Sequence, residues 1–330
     1  MKRPRPLDRS RLKSFPRAGE RRLFAVADSG RLPDPEGSFR DFADSIPRTL
    51  AGRTLREVAT AIADAHAGGR PVLAMVGAHV VKAGCNPILV GLLERGLITA
   101  LALNGATAIH DFELACFGDT SEDVSEGLAS GRFGMWEETG AWMNRATREA
   151  HLSGDGMGLG LGRHLLERKA PHLGHSLLAS SVRLGVPVTV HVALGTDVIH
   201  QHPEADGAAI GATSLLDLDL LAGILSDFEG GVVLNLGSAV VLPEVFLKAL
   251  TMARNVGGRT DGMTLVNCDL SPQYRTRMNL LERPARECNG RALQILGPHE
   301  LILPLLSALI LQKVEIPVGF PAGGKPQNSM

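Results

Sequence analysis

A series of short apolar runs, each closing on glycine, asparagine or aspartate and each trailed by a helix-like stretch, constrains this chain more than anything else in it. Residues 71–76 (PVLAMV) run into Gly77, and residues 97–103 (LITALAL) run into Asn104 and Gly105. Residues 186–192 (VPVTVHV) precede Gly195, Thr196 and Asp197; residues 232–236 (VVLNL) end at Gly237 and Ser238; residues 263–266 (MTLV) end at Asn267, Cys268 and Asp269. Helix-like segments at 87–95, 111–117, 137–150, 215–226 and 243–254 fill the gaps. Continuous apolar runs alternating with helices mark βαβ units around a parallel sheet covered on both faces. The expected fold class is therefore α/β, a Rossmann-like parallel sheet flanked by helices.

With 330 residues, 44% of them hydrophobic, the chain can bury a large core, and its net charge of -1 offers no overall pull on nucleic acid or anionic lipid. Residues 1–45 read as a basic, Pro- and Arg-rich arm, with no independent structure expected before Asp41, and residues 46–330 as a single α/β domain. The arm lacks the apolar core of a secretory signal. No apolar run was found to reach the roughly 20 residues that cross a bilayer, the longest candidate being 301–311, broken by Pro304. Four cysteines without CxxC spacing read as reduced thiols, which points to the cytoplasm. The glycine run 154–162 (GDGMGLGLG) has no strand before it and reads as a connector loop.

In an open parallel sheet, ligands bind beyond the carboxyl ends of the strands, so the residues there are the candidate site. Gly77, Ala78, Asn104, Gly105, Asn235, Gly237 and Ser238 form turns suited to close approach of a nucleotide cofactor, and Asp269 is placed to hold ribose hydroxyls. Lys82 can pair with a carboxylate or phosphate. His110 and Asp111 start the expected helix after Asn104, a titratable pair beside that turn. Residues 195–207 (GTDVIHQHPEADG) concentrate Asp197, His200 and His202, which suits proton transfer near pH 7. His200 and His202 are two apart and face one side if the backbone is extended, so a metal-dependent hydrolase is an alternative; a non-catalytic nucleotide-binding protein is another. The run 119–123 (DTSED) could attract a polyamine or simply cap a helix.

Residues 77–116 resemble the first cofactor-binding βαβ unit of deoxyhypusine synthase, with Asn104 to Asp111 matching its Thr-Thr-Ala-Gly-Gly-Val-Glu-Glu-Asp turn and Asp111 matching the final acid. The likeness continues through VPVTVHVALGTD, where Asp197 fits an Asp that follows a Thr, and through VVLNLGSAVVLPEVFLKA. It implies a deoxyhypusine synthase-like fold, bound NAD, and a homotetramer with active sites between subunits. The family's His-His pair reads Pro243-Glu244 here, its Trp-Gly-Lys with the imine-forming lysine has no counterpart, and the Glu-Glu of its first turn is Ile109-His110. The archaeal and cyanobacterial NAD-dependent ornithine cyclodeaminase, of the same fold, has a Gly-Asn-Ala-Leu-Ala-Val-His-Asp turn similar to Asn104 to Asp111 and a Val-Asp-Ile-Asn-Pro strand end similar to residues 267–272. The resemblance thus implies an NAD-dependent transferase or cyclodeaminase-like lyase that acts on a C–N bond of a small amine or amino acid through a transient imine, other than deoxyhypusine synthesis.

Overall fold

The computed structural model describes residues 6–17, 19 and 24–314. The chain divides into two compact units, Met1–Leu50 and Ala51–Met330. In the first, short 3₁₀ turns at Arg9–Arg11 and Val26–Asp28 precede helix α1 (Phe39–Ser45). Ser38 caps α1: the Asp41 amide donates to the Ser38 hydroxyl at 3.2 Å, and the Ser38 amide donates to the Asp41 carboxylate at 2.9 Å. The Arg31 amide reaches the Ser45 carbonyl and the Arg48 amide the Asp28 carbonyl, so segments before Asp41 do have local order, contrary to the sequence reading.

The second unit carries one sheet of six parallel strands: β1 (Val72–Val76), β2 (Ala100–Asn104), β3 (Val188–His191), β4 (Val232–Leu236), β5 (Thr264–Asp269) and β6 (Arg291–Leu296). Their order is β3-β2-β1-β4-β5-β6, with all pairs parallel. The chain winds outward from β1 to β3 and then returns to lay β4 against the other side of β1. The winding direction reverses there, and the crevice beyond the ends of β1 and β4 is the place such sheets receive ligands. The four-strand run of apolar residues in β1, β2, β4 and β5 is buried on both faces, whereas β6 is largely open.

The helices follow in order: α2 (Leu50–Ala67), α3 (Ala78–Lys82), α4 (Asn86–Glu94), α5 (Gly105–Phe117), α6 (Val124–Ser130), α7 (Glu137–Ser153), α8 (Met157–Glu167), α9 (Leu177–Leu184), α10 (Gly207–Leu225) and α11 (Val241–Asn255). After β5, α12 (Tyr274–Thr276) passes through a π-helical stretch, Arg277–Glu282, into α13 (Arg283–Glu287), and α14 (His299–Leu311) follows β6. Leu73 and Met75 of β1, Val233 of β4 and Leu265 of β5 pack with Phe228, Phe246 and Leu280 in a closed apolar core.

Of the glycine run expected to be a loop, residues 154–156 do connect α7 to α8, whereas residues 157–162 are the first turns of α8. A methyl group at Gly158 would strike the Val188 carbonyl of β3, one at Gly160 the Ala150 side chain of α7, and one at Gly162 would lie 2.6 Å from the Leu178 carbonyl of α9. Here glycine serves close packing on three sides, where the neighbours leave room for nothing larger. Against the expectation that no apolar run reaches that length, helix α10 is long and apolar enough to cross a membrane by length and composition. Its buried side packs on α7, α8, α11 and β3. Within it, Asp217 accepts the Gly158 amide at 2.9 Å and the Val190 amide at 2.7 Å, tying the start of α8 to β3.

Candidate functional site

Beyond β2 and β3 lies a cavity of about 710 Å³. Its floor comes from the end of α3 (Lys82), the first turns of α5 (Ala106, Ile109, His110, Glu113) and the turn after β3 (Thr196, Asp197, Val198). Its cover comes from Asp119, Thr120, Ser121 and Glu122 together with Phe133, Trp136, Glu138 and Thr139. Five carboxylates, those of Glu113, Asp119, Glu122, Glu138 and Asp197, line the cavity against one lysine, Lys82, so the field inside favours a cation.

Asp197 stands over the start of α5 because Gly105 has no side chain; a methyl group there would occupy the space of the Asp197 carboxylate. That carboxylate is 7% exposed, its Oδ2 has no hydrogen-bond partner, and burial pushes its pKa up to about 6. His200 sits 3.9 Å away, itself 5% exposed, and burial lowers its pKa. The Gly195 amide donates to His200 Nδ1 at 3.1 Å and the Asp197 amide at 3.4 Å, so Nδ1 carries the lone pair and the proton of the neutral ring is on Nε2, facing Asp197. In that form His200 Nε2 carries the proton and cannot accept one, and Nδ1 is taken by the backbone amides.

His110 lines the cavity with its side chain 17% exposed. Its Nδ1 lies 2.7 Å from the Thr120 hydroxyl, which donates to Glu113 Oε2, while Thr139 donates to Glu113 Oε1 at 3.0 Å. Burial is the largest influence on Glu113 and works upward, yet hydrogen bonds from Thr120 and Thr139, with the His110 ring 3.9 Å away, hold its carboxyl below the ordinary range.

Other expected residues are placed differently. Helix α5 starts at Gly105, so Asp111 lies inside it, fully buried and away from the cavity lining. It accepts from Asn86 Nδ2 (2.8 Å), Ser176 Oγ (2.6 Å), the Leu177 amide (2.7 Å) and the Leu178 amide (3.1 Å), and so caps α9 rather than facing a substrate. The backbone around His200 is a 3₁₀ turn, Val198–Gln201, not extended. His202 consequently turns away, with its ring against Gly140 and its Nδ1 accepting the Glu204 amide at 3.2 Å. Among the described residues no three His, Cys, Asp or Glu side chains converge as metal ligands. Of the residues expected to act on substrate, Lys82, His110 and Asp197 line the cavity; Glu113, Thr139 and Trp136 were missed, because nothing in their spacing marks them.

The crevice between β1 and β4 is built from the expected turns, with altered roles. The Gly77 amide continues the ladder to the Leu236 carbonyl at 2.8 Å, and a methyl group on Gly77 would strike the Gly237 carbonyl, so the two turns touch. Asn104 caps α5, its Oδ1 accepting from the Thr107 amide at 2.8 Å. Ser238 Oγ accepts the Leu242 amide at 3.2 Å, and Asn235 Nδ2 donates to Asn267 Oδ1 at 2.8 Å. Beside these bonds stand buried atoms without partners: Asn235 Oδ1, Asn267 Nδ2, Asp269 Oδ2 and His299 Nδ1. Ala78 and His79 open α3 directly after Gly77, and the His79 ring centroid lies 5.4 Å from that of His299. His299 was not anticipated; its Nε2 donates to the Cys268 carbonyl at 3.2 Å.

No protein-family model and no curated protein sequence matches the chain. Solved structures do. The unliganded AgrE structure superposes with a TM-score of 0.53 and 15% identity over 82% of this chain and 34% of that one. AgrE in a ternary complex with ornithine and NAD+ gives 0.52 and 16% over 81% and 34%. A candidate deoxyhypusine synthase from Entamoeba histolytica gives 0.51 and 11% over 86% and 96%. The chain spans about a third of the length of the AgrE structures it matches. These likenesses show the fold: the chain is an α/β protein of deoxyhypusine synthase-like architecture.

Proposed function

We propose that this chain is an NAD-dependent enzyme that oxidises a C–N bond of a small amine or amino acid to a transient imine. The observation that carries the reading is the acidic cavity holding His110 and Asp197, whose buried Oδ2 has no hydrogen-bond partner. AgrE, solved with ornithine and NAD+, supports the same class of chemistry on this fold. The departures from the deoxyhypusine synthase pattern exclude an imine-forming lysine at the family's position.

The crevice residues fit a dinucleotide. Ala78 opens α3 and Ser238 lies in the turn three residues before α11, where backbone amides suit phosphate, and Asp269 Oδ2, buried and unpaired, suits a ribose hydroxyl. Bound NAD would supply a hydride acceptor for the carbon bearing the nitrogen and a hydride donor at the end of the cycle. The chain's own groups do the rest. Carboxylates draw the ammonium into the cavity, and its charge beside Asp197 favours the ionised form of that carboxyl. His110 takes a proton from the nitrogen as the C–N bond gains double-bond character. Lys82 at the rim pairs with a substrate carboxylate, and Phe133 and Trp136 exclude water.

The test is release of small molecules from the purified chain on denaturation, read by mass spectrometry. NAD is expected. Absence of any nucleotide, together with no calorimetric binding of added NAD, overturns the reading. His110→Ala is expected to lower turnover of amine substrate by about 10²- to 10⁴-fold, the usual worth of a general base.

A further inference from the structure

We infer that Thr120 and Glu113 are positioning residues that hold His110 in its Nδ1–H tautomer, leaving Nε2 as the proton-accepting nitrogen. The inference deepens the proposed function and rests on His110 as its base. The argument is a count of protons. Glu113 is bonded from several sides as a carboxylate and can only accept. The contact between Thr120 and Glu113 therefore uses the single hydroxyl hydrogen of Thr120. With that hydrogen committed, the Thr120 oxygen can only accept from His110 Nδ1, 2.7 Å away, so Nδ1 must be protonated in the neutral ring. The lone pair is then on Nε2, the one ring nitrogen left for a substrate proton.

Three separate segments build the relay. Helix α5 sets His110 and Glu113 three residues apart on one face, Thr120 follows the Gly118 cap of that helix, and Thr139 arrives from α7 to fix the second Glu113 oxygen. Glu113 Oε2 lies 3.9 Å from His110 Nδ1, close enough to stabilise the imidazolium formed when Nε2 takes a proton. His200 has the opposite arrangement: backbone amides hold its Nδ1 as acceptor and leave Nε2 as donor. The two histidines near the cavity are thus set in opposite tautomers by their surroundings.

The tautomer can be read without substrate, from ¹H–¹⁵N correlations of ¹⁵N-histidine-labelled chain at a pH where the ring is neutral. His110 Nδ1 is expected to be the protonated nitrogen in the wild type. Thr120→Val, which keeps the shape and removes the acceptor, should shift the population towards Nε2–H by about tenfold, the worth of one hydrogen bond. Thr120→Ser should restore the wild-type pattern, and Glu113→Ala, by freeing the hydroxyl hydrogen, should give a mixture. A wild-type ring protonated at Nε2 overturns the inference, as does an unchanged tautomer in a folded Thr120→Val chain. If the valine variant does not fold, the wild-type and Thr120→Ser spectra still decide. Turnover is measured apart: undiminished activity in His110→Ala would remove the base assignment and leave the tautomer result standing.

Discussion

Replacing Asp111 by alanine separates a role in the fold from a role in chemistry. The carboxylate is fully buried and accepts four hydrogen bonds, two from the Leu177 and Leu178 amides that open α9. In Asp111→Ala, Asn86 keeps the His175 carbonyl at 2.8 Å and the Ser176 hydroxyl can rotate, but the two amides have no substitute acceptor. Each stranded buried donor costs about 1–3 kcal/mol, so the chain should lose about 4 kcal/mol in all. Urea unfolding followed by circular dichroism measures it. With a slope of about 3 kcal/mol/M, the midpoint should fall by more than about 1 M. A loss under about 1 kcal/mol, combined with abolished turnover in a folded variant, would refute the reasoning and return Asp111 to the catalytic set.

Other outcomes follow from the same geometry. Burial pushes Asp217 up to about 7, above its ordinary 3.8, so the folded chain keeps a proton that the unfolded chain releases. That contribution to stability is full below pH about 4 and is lost as pH rises towards 7; Asp217→Asn should flatten this part of the pH–stability curve, read by urea midpoints at pH 5 and 7.5. Gly158→Ala should cost several kcal/mol, about 3 or more, through backbone displacement at β3, seen as a drop in Tm. Asp269→Ala should weaken NAD binding by about tenfold or more in calorimetry while leaving the circular dichroism spectrum unchanged.

The strands of the sheet were legible because burial on both faces demands unbroken apolar runs, and 232–236 coincides with β4 residue for residue. β6 was not, since RALQIL is half open to solvent at the sheet edge and carries only one β-branched residue. The acidic run 119–123 announced the cavity wall in part: Asp119 and Glu122 line it, whereas Asp123 caps α6 by accepting the Ser125 and Glu126 amides. The relation of His200 to His202 was misread because the 3₁₀ turn rotates alternate side chains apart, a fact of local backbone that HxH spacing does not encode. Asp111 carried a false signal of its own: a carboxylate next to a histidine at a strand end suggests chemistry, and only the long-range bonds to residues 176–178 reveal its use. Glu113, Thr120 and Thr139 lie on different elements and meet only in the fold.

Helix α8 has a consequence for the order in which the chain folds. Gly158, Gly160 and Gly162 each lower helix propensity by about 1 kcal/mol relative to alanine, so the segment has little tendency to be helical by itself. It gains a reason to coil only when α7, α9 and β3 already stand as walls at van der Waals distance. It should therefore enter the structure late, with φ-values near zero, and substitutions there should speed unfolding rather than slow folding.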